Sequence, residues 1–180
     1  MLVVTGNVAR ECRAQVPLID LLCDHGADPG SALHAALQGG MEAVNALLRR
    51  GAPIDLPAAA ALGRIEDARR LLPAAASRDR HLALALASQF GHAEIVRLLL
   101  DAGEDPNRYN PLGCHSHSTP LHQAALAGHM EVVRLLVKRG ARLDLKDILW
   151  HGTPAGCAKH EGRAEIEAFL RSEETNSKQQ

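Results

Sequence analysis

The chain has 180 residues, a formal net charge of −1 and an aromatic content of only 2%. That length suits one domain cored by small and aliphatic side chains, and near-neutrality removes any long-range pull toward nucleic acid or an anionic membrane. No apolar run approaches the ~18 residues a bilayer-spanning helix needs, and residues 1–6 lack the basic flank of a secretory signal. The cysteines at 12, 23, 114 and 157 show no paired spacing, so reduced thiols and a cytoplasmic home are expected. Sixteen arginines against four lysines point weakly to GC-rich coding and a bacterial source.

In chain order, residues 3–13 form the poorest helical stretch, interrupted by Gly6 and Asn7. Residues 16–22 read as an apolar helix with Pro17 near its start, where a missing N–H costs nothing, and Gly26 follows as its stop. A second unit spans 30–55. A third, 56–76, keeps four alanines before Gly63 but carries Pro57 and is ended by Pro73. The fourth starts near Ser77 and runs to Gly103. A long connector, 104–118, leads to the fifth, 119–143. There Thr119 is a good N-cap, Pro120 takes the first helical position, Gly128 stops the first helix and Gly140 the second. Residues 143–152 form another connector before the sixth unit, 153–171, and 172–180 read as a disordered, solvated tail.

One frame recurs through these units. Small residues one turn earlier lead into a glycine at 39, 63, 91, 128 and 162, and a glutamate follows three positions later at 42, 66, 94, 131 and 165. A second glycine falls twelve residues on in three copies, at Gly51, Gly103 and Gly140, and Gly26 marks an earlier unit. Two short helices per unit cannot bury their apolar faces on each other alone, so such units must stack.

The pattern resembles the ankyrin repeat. Thr119, Pro120, Leu121 and His122, with Gly128 and His129 and then Arg134, Leu135 and Leu136, match it closely, and the resemblance spans roughly 15–171. It implies an all-α solenoid of about six helix-turn-helix units in a single domain, 1–171. First-glycine spacings of 24, 28, 37 and 34, against about 33 for an ankyrin unit, predict short finger-less units toward the N-terminus and β-hairpin-like fingers in the C-terminal half. The array should be weakest at the third unit. Anchoring on Gly39 and Glu42 puts Leu33 at the position of His122. His34 is therefore offset by about 100° around the helix and should not inherit the motif histidine's role. That role, in proteins resembling this one, is to bridge the backbone of adjacent units.

The features left over for function lie in the two connectors. Tyr109 and Trp150, the chain's only tyrosine and tryptophan, are either exposed anchors for a partner or rings packed beneath their own loops. Arg108, His115, His117, Lys146 and His151 would rim them. In an extended strand His115 and His117 would share a face, as two metal ligands must, with Cys114 opposite. His151 would have to supply a third ligand, and zinc wants four, or three and water. No nucleophile elbow, phosphate loop or zinc-protease motif is present. The expected function is thus a non-enzymatic, monomeric protein-binding scaffold without cofactor, nucleic acid or membrane, binding through its fingers and concave face. The alternatives are a metal- or small-molecule-binding protein using the connector histidines, or a structural subunit that self-associates through its N-terminal cap.

Overall fold

The computed structural model describes residues 14–39 and 41–177. The expected helix over 3–13 lies outside them. The chain falls into two compact units, Met1–Ala58 and Ala59–Gln180. The division lies inside the third unit's first helix, six residues of mostly alanine, too short and thin to centre a core.

In the first unit, α1 (Gln15–Asp24) packs on α3 (Met41–Arg49), which also lies against α2 (Leu33–Gly39). A 3-10 turn over Pro29–Ala32 leads into α2 and is capped by Asp28, whose carboxylate accepts the amides of Gly30 and Ser31. Ile19, Val44 and Leu47 are fully buried. Asp24 pairs with the Arg50 guanidinium. The register of α2 follows the frame: Leu33 is buried, whereas His34 is exposed and reaches Asp55 at 2.8 Å.

The second unit continues α4 (Leu56–Ala61) with α5 (Ile65–Leu71), α6 (Ser77–Phe90), α7 (Ala93–Asp101), α8 (Pro120–Ala127), α9 (Met130–Lys138), α10 (Pro154–His160) and α11 (Ala164–Ser177). The first helices of successive repeats stack, α6 on α8 and α8 on α10, and each leans on its own second helix. Alanine makes this spacing work: Ala83, Ala85, Ala87, Ala124, Ala125 and Ala158 are completely buried, and larger side chains there would push the layers apart. The second helices supply the bulk through Ile95, Val96, Leu99, Val132, Val133 and Leu136. Burying each such side chain contributes about 1.5–3 kcal/mol. The all-α ankyrin-repeat architecture expected from the frame is therefore the one observed.

A repeated clamp joins neighbouring units. His92 Nε2–H donates to the Ala61 carbonyl (3.0 Å), His129 Nε2–H to Gln89 (3.0 Å), and Arg163 Nε–H to Leu126 (3.3 Å). The rings lie over the preceding unit's frame glycine. A Cβ on Gly63 would sit 2.7 Å from the His92 ring, and one on Gly91 2.6 Å from that of His129. Both glycines also hold positive φ, so glycine is required twice over.

Two outcomes differ from the sequence reading. The last helix runs to Ser177, past Leu170, because 171–177 offers helix-compatible residues and an Arg171–Glu167 pair at 2.9 Å. The C-terminal connectors project as fingers, but they are built from turns, with no strand among the described residues. In 111–118 two turns, Cys114 N–H to Pro111 O and Ser118 N–H to His115 O, replace the extended segment that would have set His115 and His117 on one face. Gly113 (φ 108°) and His115 (φ 41°) turn the backbone there.

Candidate functional site

The second finger is organised by a residue the sequence reading passed over, Asp147. It is buried, and its carboxylate accepts the amides of Leu149 (3.0 Å), Trp150 (2.7 Å) and Gly152 (2.7 Å). Burial alone would raise its pKa. The amides of Trp150, Gly152 and Leu149, with His122 nearby, outweigh burial and hold it below the ordinary carboxylate value. The signal was an aspartate five residues before a glycine, which suits a side chain that closes a turn on its own backbone.

His122 fastens this finger to α8. Its Nδ1 accepts from the Thr119 amide (3.3 Å) and hydroxyl (2.8 Å), which leaves Nε2–H to donate to the Gly152 carbonyl at 3.1 Å. The ring is buried, and burial depresses its pKa. The bridging role implied by the family resemblance is the one seen.

The two fingers are clasped together. The Tyr109 hydroxyl donates to the Lys146 carbonyl (2.6 Å), and the Ile148 amide donates to His117 O (2.8 Å). The His117 ring meets the Trp150 ring edge-on at 5.1 Å and the His115 ring at 5.7 Å. Tyr109, His115, His117, Lys146 and Trp150 thus form one cluster. His151 joins through its backbone, donating to Asp147 O (3.1 Å) at φ 54°. Arg108 points elsewhere, toward Glu104 beneath the first connector (3.8 Å).

Rigid below, the cluster is apolar at its tip. Ile148, Leu149 and Trp150 are 58%, 59% and 74% exposed, and Leu112 on the first finger 75%. Of the two readings for the aromatics, Trp150 is an exposed ring, while Tyr109 serves mainly as a tether. Between the tip and the inner helices lies a pocket of about 360 Å³ lined by Leu126, Trp150, Gly156, Cys157, His160 and Glu161, with Asp147 and Gly152 at its finger side. Burial, then the carboxylates of Asp147 and Glu161, push the Cys157 thiol upward, and burial pushes Cys114 up to about 12. Cys114 donates to Gln89 Oε1 (3.2 Å). Neither thiol is primed as a nucleophile.

Among the described residues, no group of three or more His, Cys, Asp or Glu is placed to hold a metal. The His115 and His117 rings stay adjacent, edge-on with centroids 5.7 Å apart, although turns replace the extended segment expected to align them. No helix among the described residues is long and apolar enough to cross a membrane.

Residues 56–147 match the family model for ankyrin repeats in three copies, and 30–59 the model for a single ankyrin repeat. Similar curated proteins include cyclin-dependent kinase 4 inhibitor B of Bos taurus, 32% identical over 68% of this chain and 93% of that protein. The Homo sapiens protein of the same name is 32% identical over 68% of this chain and 88% of its own length. Human cyclin-dependent kinase inhibitor 2A is 32% identical over 65% of this chain and 75% of its own. These relatives are vertebrate, so the bacterial source suggested by arginine usage finds no support.

Proposed function

Because the chain belongs to the ankyrin-repeat family, we propose that it is a non-enzymatic, monomeric, cytoplasmic protein-binding module whose partner is a protein kinase of the cyclin-dependent class. The binding face is the clasped finger pair with the inner helices beside it, carried by Tyr109, His115, His117, Lys146, Trp150 and His151, with Arg108 supporting the first connector from below. The observation behind this reading is the exposed apolar triplet Ile148, Leu149 and Trp150 held on a finger whose base is locked by Asp147 and His122. Exposed apolar groups on a preorganised loop lose little entropy on docking and make strong anchors. The names of the relatives support the kinase class, since the chain spans nearly all of cyclin-dependent kinase 4 inhibitor B.

Isothermal titration against purified cyclin-dependent kinase 4 tests this. Binding at micromolar strength or tighter is expected, and Trp150→Ala should weaken it by about 30-fold, the scale of a lost hot spot. Absence of binding would refute the kinase class, and binding indifferent to Trp150→Ala would refute the face.

A further inference from the structure

The pocket beside Trp150 carries more information than an apolar anchor requires. Its walls are Leu126, Cys157 and the Trp150 ring, and small residues keep it open: a Cβ on Gly156 would meet only Thr153 Oγ1, at an ordinary 3.6 Å. Two carboxylates, Asp147 and Glu161, stand on its border. The Asp147 carboxylate is spent on backbone amides, yet its charge still acts on the pocket. Cys157, inside it, is raised first by burial and then by both carboxylates. Glu161 has an exposed side chain and only a distant partner in His160, 3.9 Å away. A space with an aromatic wall, an aliphatic wall and a negative border matches a long cationic side chain. Such a side chain lays its methylenes on apolar surface and its head near a π face and a carboxylate.

We propose that this pocket receives an arginine side chain of the protein partner, its stem against Leu126 and Cys157 and its guanidinium against Trp150 and Glu161. The assignment rests on the protein-binding reading and names the chemistry that face selects. Arginine fits better than lysine because a planar guanidinium stacks on an indole while presenting N–H donors to a carboxylate. About 360 Å³ also exceeds what one such side chain fills, leaving room for its flanking backbone.

Trp150 is the only tryptophan in the chain, so all tryptophan emission comes from this wall of the pocket. The experiment titrates the full chain with acetyl-Ala-Arg-Ala-amide to about 10 mM, the range in which a single side chain binds, and with the citrulline and leucine analogues. The arginine peptide should change Trp150 emission saturably, and the two neutral peptides should bind at least about fivefold more weakly. Raising salt should weaken the arginine peptide. Glu161→Gln should bring it to the level of citrulline, and Gly156→Leu, which fills the pocket from a helix position that tolerates a side chain, should abolish it at unchanged far-ultraviolet dichroism. Leucine or citrulline binding as well as arginine, or no emission change with any peptide, overturns the assignment. Kinase binding that stays sensitive to Trp150→Ala in that case would leave the protein-binding face standing with a different occupant.

Discussion

The two fingers rest on buried polar groups that are satisfied very differently. Under the second finger, Asp147 accepts three amides and both nitrogens of His122 are engaged. Under the first connector, buried Glu104 faces Arg80 (3.2 Å), His81 (3.7 Å) and Arg108 (3.8 Å). Both His81 nitrogens, one Glu104 oxygen and Asn110 Oδ1 are buried without a hydrogen bond in the protein, and Arg80 Nε meets Glu104 only as an ion pair. The His81 ring approaches the backbone of Arg108 and Tyr109 without reaching hydrogen-bond geometry. A buried ion cluster of this kind is weak evidence of stability, whereas a closed amide cage around a carboxylate is strong. The second finger is thus built as a rigid platform, while the first, for all its unsatisfied acid cluster, is held by Ser118 against Asn110 and Gln123, by Arg78 on the Leu112 carbonyl and by its clasp to the second.

The sharpest way to break this contrast is Asp147→Ala. Three amides would lose a charged acceptor, and a loss of about 3 kcal/mol is expected in urea unfolding, with fast hydrogen exchange at Leu149, Trp150 and Gly152. A change below about 1 kcal/mol would mean the cage does not hold the finger. His122→Leu should cost about 2 kcal/mol by orphaning the Gly152 carbonyl and the Thr119 amide. His81→Leu, the matched change under the first connector, should be neutral within about 1 kcal/mol or stabilising, since it removes unpartnered buried nitrogens. Equal losses for the two histidines would erase the distinction.

Acid sharpens it further. Burial, reinforced by Arg108, holds His81 below its ordinary 6.5 against the opposing pull of Glu104, and burial holds His122 below it too. Each therefore binds its proton more readily when the chain is unfolded. The stability they contribute is complete above pH 6.5 and is lost as pH falls toward their folded values. Thermal melts should show a falling Tm from pH 7 to 5, and His81→Leu should flatten that slope; an unchanged slope would remove His81 from the account. The smallest effect concerns backbone strain: His151→Gly, at φ 54°, should alter stability by less than about 1 kcal/mol, in the stabilising direction. A clear loss would show that the ring itself contributes.

Much of the fold was legible because the repeat is a statement about packing. A small-residue face, a glycine and a glutamate at fixed spacing can only mean stacked helix pairs. The same alignment placed Leu33 inside and His34 outside, as observed. His129 was recognised by position, but its carbonyl partner one unit back, and the same contact made by His92, were invisible without the stack, and Arg163 takes the same place with different chemistry. Asp147 and Glu104 were missed for a common reason. An acid in a polar loop reads as solvated, and only closure of the loop around it reveals burial. The turns at 111–118 escaped notice because His115 adopts a left-handed conformation that sequence assigns to glycine. Tyr109 and Trp150 could be singled out by rarity, while their division into tether and exposed ring depended on one hydroxyl finding the Lys146 carbonyl.

The central claim is that the finger pair is the binding face, and the most direct measurement is hydrogen exchange on the chain alone and with cyclin-dependent kinase 4 bound. The account predicts new protection at residues 109–118 and 146–152, with the outer helices α7 and α9 unchanged. Protection confined to α7 and α9, or none at the fingers, would contradict it.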